Sequence, residues 1–458
     1  MARDLEAAYA TAGYVLLQVI LPPQQLINGA RLNLVMVDGF SERIEIKDVP
    51  EQILNRIMTL VRPLTGRCSL TTQVLLTGRE ASFHRDDGLL RQSHCFICHG
   101  TSGSEANLMT SPTALVSLAT SVPPFEFKQK KVEEVSRQIF GNRFPEFERL
   151  SRVFENTGVI KRYGVKPIEW YFEPRGWPER TQAFLDGGEE LFIDVAQKAI
   201  ERAGLVPNEI DTVVTVCSTG IATPSLEARV AGKIGFRSDI FRVPVFGLGC
   251  AGGVSGLSIA SRLAQARPGT NVLLVAIELC TLAFRRDELT KANIVATSLF
   301  GDGAAAVVLR AGDAGAVQVE GAGEHLWPDT LDIMGWKVDP EGFGVIFRRS
   351  IPAFAAANMN AAVIGILKRM NLTRDDVDRF VCHPGGTKVV SALEYAFSLN
   401  QGSLDHERQI LADYGNMSAP TVLFVLERVL AGQVPFRSLL TSLGPGFTAS
   451  CVAVRRAA

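Results

Sequence analysis

Short apolar runs alternate with longer segments of helical periodicity from about residue 109 onward, and this alternation constrains the fold of the 458-residue chain most. The runs have the length of buried strands and lie at 113–120, 210–216, 272–277 and 304–309. Between them, apolar residues recur at helical spacing, as they do in the segment 189–203 before Gly204. This alternation predicts an α/β architecture with a largely parallel sheet covered on both faces.

The second half of the chain, from about residue 316, repeats the scheme. Its predicted strands are 317–321, 380–382, 439–443 and 451–454, and its predicted helices are 353–370 and 417–431. Two similar halves, 109–315 and 316–458, indicate a duplicated fold. Two further helices are predicted in the first half, over 126–140 and 144–154.

The composition excludes several classes of protein. A chain of this length exceeds an ordinary single core, so two or three units are expected. With 47% hydrophobic residues and a formal net charge of -1, neither nucleic acid nor an anionic membrane is an expected partner. Because no apolar run approaches the ~18 residues of a membrane span and no signal peptide is recognisable, we expect a cytoplasmic protein without an integral membrane segment.

Residues 1–108 differ in texture from the remainder of the chain. Strands are expected near 15–21 and 32–37 and a helix near 51–60, but no repeat links them. The sequence CFICH at 95–99 fits covalent haem attachment, which requires export, or a metal site with His94 and His99; chance is the favoured interpretation. The eight cysteines are too scattered for a disulfide framework, so we expect free thiols and no bound metal.

One cysteine lies between glycines where an apolar run becomes a helical one. Residues 243–246 read as the end of a buried strand and 256–266 have helical spacing, so Cys250 is expected near the first turn of that helix. Unpaired backbone N–H groups and the positive end of the helix dipole favour a thiolate at such a position. Cys250 is therefore a candidate nucleophile.

Two polar residues in the second half complement this thiol. His383 follows a predicted strand, and Asn416 follows Gly415 ahead of an apolar helix. Each residue also has a purely structural interpretation. His383 could be a buried core histidine, Asn416 a helix N-cap, and Cys250 an inert buried thiol. Together they suit acyl transfer to Cys250 followed by carbon–carbon bond formation, with His383 and Asn416 stabilising the oxyanion left when a malonyl unit loses carbon dioxide.

Five short motifs occur in a fixed order in this region. They are LGCAGG (248–253), LFGDGAA (299–305), HPGG (383–386), YGNMSA (414–419) and GPGF (444–447). In these motifs the chain resembles type III polyketide synthases, the chalcone and stilbene synthase relatives. The sequence ELC at 278–280 is closer to their bacterial branch, which makes alkylresorcinols, alkylpyrones and tetrahydroxynaphthalene. A β-ketoacyl-ACP synthase III and an inactive thiolase-fold binding protein are the alternatives.

The resemblance implies a duplicated thiolase-like α/β/α/β/α layered fold and a homodimer. It also implies iterative decarboxylative condensation of malonyl-CoA onto an acyl-CoA starter, then cyclisation to a resorcinol, pyrone or related polyketide, with no cofactor besides the CoA thioester substrates. Cys250, His383 and Asn416 fall on the family's catalytic triad. Residues 1–108 then form an extension: an appended domain, a disordered segment or, as we expect, translation from a start codon placed too far upstream.

Several further positions carry over from the resemblance. Phe300 falls on an aromatic residue at the junction of the CoA tunnel and the substrate cavity, although a buried core phenylalanine is the simpler interpretation. Cys280 and Ala283 stand where the plant enzymes have cavity threonines, and Thr219 is expected in the same cavity. Thr223 matches a loop that crosses the dimer interface.

A cluster of basic residues surrounds the predicted helix at 144–154, and it has two interpretations. It is either a solvated helix face or a cradle for the phosphates of a nucleotide-bearing substrate. The resemblance places Arg149 and Arg152 near two basic residues that contact CoA phosphates, with Asn156 in place of a third. Lys161 and Arg162 complete the expected CoA site.

Overall fold

The computed structural model describes residues 18–20, 32–37, 41–46, 112–312 and 315–457, the first three ranges by their backbone alone. The chain divides into two units, Met1–Ser104 and Glu105–Ala458, close to the boundary expected at residue 108.

In the first unit, three strands form an antiparallel sheet in sequence order. They are β1 (Gln18–Ile20), β2 (Leu32–Val37) and β3 (Ser41–Ile46). The strand predicted over 32–37 is confirmed. The helix predicted near 51–60 and the CFICH motif lie outside the described residues.

The second unit contains strands and helices in the predicted alternation. Its strands are β4 (Thr113–Ser121), β5 (Phe125–Lys128), β6 (Lys161–Gly164), β7 (Ile210–Val216), β8 (Phe241–Val245), β9 (Asn271–Leu279), β10 (Asp302–Ala311), β11 (Val317–Leu326), β12 (Met334–Asp339), β13 (Gly342–Phe347), β14 (Arg379–Cys382), β15 (Arg437–Gly444) and β16 (Thr448–Arg456). Its helices are α1 (Gln129–Phe140), α2 (Phe147–Leu150), α3 (Arg152–Asn156), α4 (Trp177–Arg202), α5 (Leu226–Ile234), α6 (Gly252–Ala266), α7 (Lys291–Leu299), α8 (Ile351–Arg369), α9 (Thr387–Ala396), α10 (Asp405–Tyr414) and α11 (Thr421–Leu430).

Nine of these strands form one sheet whose order shows the duplication. The order is β14-β15-β16-β11-β4-β10-β9-β7-β8, with β4 and β11 pairing antiparallel at the middle. Outward from β4, the pairs β4/β10, β10/β9 and β9/β7 are antiparallel, antiparallel and parallel. Outward from β11, the pairs β11/β16, β16/β15 and β15/β14 repeat that series. The predicted duplicated fold is therefore confirmed.

The expectation of a largely parallel sheet is wrong. Of the eight neighbouring pairs in the large sheet, three are parallel: β7/β8, β7/β9 and β14/β15. The sequence did not reveal this, because a strand buried on both faces reads as a continuous apolar run in either direction. Parallel and antiparallel pairs occur together because each half of the sheet contains the same series of two antiparallel pairs and one parallel pair.

The side chains of the sheet alternate between cores and so define five layers. In β9, Leu274 packs with Leu257 of α6 in a core that also contains the apolar face of α11. Its neighbour Leu273 packs with Phe192 of α4 on the opposite face. In the second half, Leu439 of β15 packs in a third core with α8 and α9. The layers are thus α4/α5, the first half-sheet, α6/α11, the second half-sheet and α8/α9, which confirms the α/β/α/β/α prediction.

Three local predictions need correction. Residues 125–128 form strand β5, so the helix predicted over 126–140 begins at Gln129. The helix predicted from 417 begins at Thr421. The strand before Cys250 is an edge strand rather than a buried one, since Phe241 is 56% exposed. Helix α8 alone among the described helices is long and apolar enough to cross a membrane, and its inward face packs in the third core as that of a core helix does.

Candidate active site

Cys250 lies in a 3-10 turn, Gly249–Ala251, immediately before α6. Gly249 has a φ of 48°, which favours glycine, and its N–H donates to Ser218 Oγ at 3.0 Å. At Gly253, an added Cβ would lie 2.2 Å from the carbonyl oxygen of Ala419. The motif glycines therefore allow the turn and bring the start of α6 against the segment that precedes α11.

Asn416 belongs to that segment and is not a helix N-cap, because α11 begins at Thr421. Its Oδ1 accepts a hydrogen bond from Ser418 N at 2.8 Å, which fixes the orientation of the amide. Its Nδ2 makes a long bond, 3.4 Å, to the carbonyl of Gly385, and the carboxamide also hydrogen-bonds the thiol of Cys250. The donor end of the carboxamide therefore lies beside the thiol, where a ligand can replace these contacts.

His383 follows the end of β14, and its backbone N–H donates to the carbonyl of Thr441 at 2.8 Å. The ring is buried, and neither Nδ1 nor Nε2 has a hydrogen-bond partner among the described residues. Burial lowers the pKa of His383 to about 4. A buried imidazole without partners is unusual in a folded protein and indicates a place for a ligand.

Cys250, His383 and Asn416 line one cavity, named here the Cys250 cavity, with about 400 Å³ of space between atoms. The first half of the fold supplies the thiol and the second half supplies the imidazole and the carboxamide. Apolar side chains complete the wall, among them Met334, Phe347 and Met359. The cavity thus brings together residues that lie in three separate loops.

The thiol of Cys250 does not ionise readily by itself. Burial raises its pKa to about 11, and the carboxylate of Glu278 adds to the rise, whereas hydrogen bonds with Ser418 and Asn416 act in the opposite direction. The expected effect of the unpaired N–H groups and the helix dipole therefore does not lower the pKa of the thiol overall, since desolvation is the larger effect. Nucleophilic attack needs a base, and His383 is the base that the cavity offers.

A buried carboxyl group lies beneath this cavity. Glu278 accepts hydrogen bonds from Ser218 N at 2.9 Å, Thr219 Oγ1 at 2.7 Å and, at 3.8 Å, Cys217 Sγ. Burial raises the pKa of Glu278 to about 8. Sequence reasoning quoted Glu278 in a motif but gave it no role.

A second cavity, with about 620 Å³ of space between atoms, is named here the Tyr171 cavity. Cys280, Ala283 and Phe300 line it, as the resemblance implied for a substrate cavity. Thr219 lines neither cavity of the described structure, because its hydroxyl bonds Glu278 and accepts from Leu279 N at 2.8 Å. The expectation for Thr219 is corrected accordingly.

Comparison with known protein families identifies the kind of protein in which these cavities occur. The N-terminal domain of chalcone and stilbene synthases matches residues 102–313, and the C-terminal domain matches 318–457. The chain belongs to this family. A 1,3,6,8-tetrahydroxynaphthalene synthase of Streptomyces peucetius subsp. caesius is 36% identical over 370 residues, covering 78% of this chain and 97% of that protein.

Solved structures agree with this assignment to the type III polyketide synthases. The crystal structure of 1,3,6,8-tetrahydroxynaphthalene synthase from Streptomyces coelicolor A3(2), a bacterial type III polyketide synthase, is 29% identical with a TM-score of 0.71. It covers 76% of this chain and 100% of its own. CsyB complexed with CoA-SH is 25% identical with a TM-score of 0.71, covering 75% and 100%. The predicted family, enzyme class and thiolase-like fold are confirmed.

In this polyketide synthase, Arg162 has a structural role. It is 2% exposed, and its guanidinium donates to the carbonyl oxygens of Thr297, Ser298 and Phe300 at 2.7, 2.8 and 3.0 Å and to Gln129 Oε1. These carbonyls end α7, where a cation is favourable. Because all these acceptors occupy it, the structure does not support the expected contact of Arg162 with a CoA phosphate.

The other basic residues of the expected CoA site remain near the surface of the synthase. Arg149 is exposed and pairs with Glu146 at 3.1 Å, and Arg152 is exposed on α3. Lys161 is half-buried and pairs with Glu126 at 2.9 Å. Arg149 and Arg152 thus remain candidates for binding an anionic ligand. Lys161 would have to break its ion pair with Glu126 to bind such a ligand.

Sequence reasoning missed two residues of the site. Ser418 hydrogen-bonds to Cys250 and orients Asn416, and its φ of 60° is unusual for serine. Its position inside the YGNMSA motif was the available signal. Trp336 lines the Tyr171 cavity with its ring centroid 6.1 Å from that of Phe300, and no motif pointed to it.

Proposed function

We propose that this synthase extends an acyl-CoA starter by repeated decarboxylative condensation with malonyl-CoA and cyclises the product to a resorcinol, pyrone or related polyketide. The observation that supports this proposal is the convergence of Cys250, His383 and Asn416 on one cavity, with the imidazole unpartnered. The three groups match the needs of a thioester carrier and two oxyanion donors.

Each cycle begins with acyl transfer. Cys250 Sγ attacks the thioester carbonyl of the starter while its proton passes to His383, and CoA leaves as a thiol after taking that proton. Since burial opposes the charged form of both groups, the proton moves in concert with attack rather than through a long-lived ion pair.

Condensation follows on the acylated cysteine. Malonyl-CoA loses its carboxylate as carbon dioxide, and the electron pair forms an enolate whose oxygen accepts hydrogen bonds from protonated Nε2 of His383 and from Nδ2 of Asn416. Ser418 N holds Oδ1 of Asn416, so the amide presents its N–H groups to the enolate. The enolate carbon attacks the Cys250 thioester, the C–S bond to Cys250 breaks, and the extended chain leaves on CoA. Cys250 departs as a thiolate and takes up a proton from solvent, which restores the thiol for the next cycle.

Further parts of the proposal concern CoA binding, cofactors, location and the homodimer. Arg149 and Arg152, which are exposed and basic, contact the CoA phosphates; CsyB, a similar protein, has been solved in complex with CoA-SH. The synthase needs no cofactor and acts in the cytoplasm. A homodimer forms at the β8 edge, near Thr223, because Phe241 and Phe246 are each 56% exposed there.

Incubation of the purified protein with malonyl-CoA and a panel of acyl-CoA starters tests the reaction. We expect mass spectrometry to detect products that contain two or more malonyl-derived units. Consumption of malonyl-ACP with no use of malonyl-CoA would instead indicate a β-ketoacyl-ACP synthase III, and binding of CoA thioesters without turnover would indicate an inactive thiolase-fold protein.

A further inference from the structure

The hairpin of β12 and β13 lies outside the large sheet and is the wall common to both cavities. Its two strands hydrogen-bond to each other as a separate two-stranded sheet. The opposed pair Met334 and Phe347 lines the Cys250 cavity. The opposed pair Trp336 and Val345, two residues along each strand and on the same face, lines the Tyr171 cavity.

Such a hairpin is marginally stable without support, so side-chain contacts must set its position. Its tip carries the main polar contacts with the body of the fold. Asp339 Oδ1 accepts from Arg285 Nη1 at 2.8 Å, and Trp177 Nε1 donates to the carbonyl oxygen of Asp339 at 2.9 Å. The ring of Trp177 also makes an edge contact with Phe343, with centroids 5.0 Å apart.

The ion pair at the tip is more shielded from water than most ion pairs among the residues that the structure describes. The side chain of Arg285 is 5% exposed and that of Asp339 is 19% exposed. Asp287 holds Arg285 from the other side, so the guanidinium stays in place when Asp339 is changed. By contrast, the pair Arg348 and Asp332, which flanks the base of the hairpin, is 57% and 62% exposed. An exposed ion pair of that kind contributes little to the stability of the folded protein.

We propose that Arg285, Asp339 and Trp177 form a clamp that fixes the β12–β13 hairpin and thereby sets which acyl chain lengths the synthase accepts and releases. These three residues touch no reacting atom and act as positioning residues through Trp336 and Val345. The inference rests on the proposed function, because the hairpin face borders both the thiol and the apolar space for the acyl chain.

The test compares Asp339→Asn with Asp332→Asn, which removes the same charge from the exposed pair. For each variant we would measure kcat and KM for a short and a long straight-chain acyl-CoA, the product lengths, and malonyl-CoA decarboxylation without a starter. Asp339→Asn is expected to change the long-to-short ratio of kcat/KM by about tenfold, chiefly through KM. Decarboxylation should stay within about twofold, and Asp332→Asn should match the wild type in every measurement.

Two further variants distinguish loss of the clamp from a general folding defect. Trp177→Phe keeps the ring contact with Phe343 and removes only the N–H donor, so a smaller shift in the same direction is expected. Asp339→Glu keeps the charge and should restore much of the wild-type ratio. Wild-type ratios and product lengths in both Asp339→Asn and Trp177→Phe would overturn the clamp. A wild-type protein that neither decarboxylates nor extends malonyl-CoA would instead overturn the proposed function.

Discussion

The Cys250 cavity and the Tyr171 cavity differ in the state of their polar groups. Among the described residues, the ring nitrogens of His383 in the Cys250 cavity lack hydrogen-bond partners, and the carboxamide of Asn416 contacts only the Cys250 thiol and, through a long bond, the carbonyl of Gly385 on its donor side. In the Tyr171 cavity, the phenol of Tyr171 bonds Thr281 Oγ1 at 2.7 Å, and both terminal nitrogens of Arg162 donate to backbone carbonyls, although its Nε has no partner among the described residues. The imidazole in the Cys250 cavity is free to bind a ligand, whereas most polar side chains of the Tyr171 cavity are already hydrogen-bonded within the protein.

This difference indicates a division of labour. Changes in the Cys250 cavity should lower the rate with every starter, since they remove groups that act on reacting atoms. Changes in the Tyr171 cavity should alter which starter and which product length are favoured, since they change only volume and shape. The functions of the two cavities can therefore be separated by variants that change one cavity at a time.

The largest effect is expected from loss of the nucleophile. Cys250→Ala should lower product formation by at least about 10⁴-fold, because no other thiol lines the Cys250 cavity in the described structure. Cys451→Ala removes a buried thiol that lines neither cavity and is the matched control. Product is measured by mass spectrometry with several starters.

A related variant separates the two half-reactions at the same position. Cys250→Gln should abolish extension but keep malonyl-CoA decarboxylation, because His383 and Asn416 remain. Full synthesis by either Cys250 variant would show that another residue carries the acyl group.

The second prediction concerns the carboxamide. Asn416→Asp keeps an acceptor for Ser418 N but replaces the donor by a charge that repels an enolate, so decarboxylation should fall by about 10²–10³-fold. Asn400→Asp makes the same change at an exposed position and should leave the rate unchanged. Equal decarboxylation rates in the Asn416 variant and the wild type would remove the carboxamide from the proposed mechanism.

Much of the Cys250 cavity could be predicted from the sequence. Cys250, His383 and Asn416 lie in short segments where glycines permit unusual backbone, and local sequence records that constraint. Gly415 has a φ of 70°, as its place before Asn416 suggested. The alternation of runs likewise predicted the α/β class and the two similar halves, whereas the five layers were expected only from the family resemblance.

The remainder depends on contacts between distant segments. Arg162 looks like any basic neighbour of Lys161, and its burial is set by the end of α7 more than 130 residues away. The hairpin that carries Trp336 shows no motif and pairs with no strand of the large sheet. The raised pKa of Cys250 is a consequence of desolvation, which local sequence does not report. These features needed the assembled structure.

The third prediction tests how strongly burial governs charge beneath the Cys250 cavity. The pKa of Glu278 is raised from 4.5 to about 8 in the folded protein, so the folded state holds this proton more tightly than the unfolded state does. Glu278 therefore contributes a loss of stability as pH rises from about 4.5 to 8, by up to about 1.4 kcal/mol per pH unit.

Glu278→Gln should flatten that part of the stability profile, measured as thermal unfolding midpoints between pH 5 and pH 8. Asp302, whose pKa burial raises to about 7, contributes in the same direction in both proteins and is the common background. A profile with unchanged slope in the variant would mean that Glu278 is already ionised in the folded protein at neutral pH, and burial would then not control the charge there.

The smallest effect is expected in the Tyr171 cavity. Trp336→Ala removes a ring that contacts Phe300 and stacks on Phe343 with centroids 5.8 Å apart, so the space beside Phe300 should grow. We expect a change of about tenfold in the preference for longer over shorter starters and a shift to longer products, with decarboxylation nearly unchanged. Val338→Ala, at a 64% exposed position of the same strand, is the control.

The result for Trp336 bears directly on the comparison of the cavities. If decarboxylation fell together with the starter preference, the enlarged space would be acting on the enolate donors, and the two cavities would form one functional unit. If the preference changed alone, the backbone bonds that join Gly301 and Leu299 to Asn416 would be sufficient to hold the donor in place without the ring. These two backbone hydrogen bonds, with N···O distances of 2.9 and 3.0 Å, flank Phe300 and have the usual length. They favour the second outcome, because they hold Asn416 through the main chain rather than through the rings of Phe300 and Trp336.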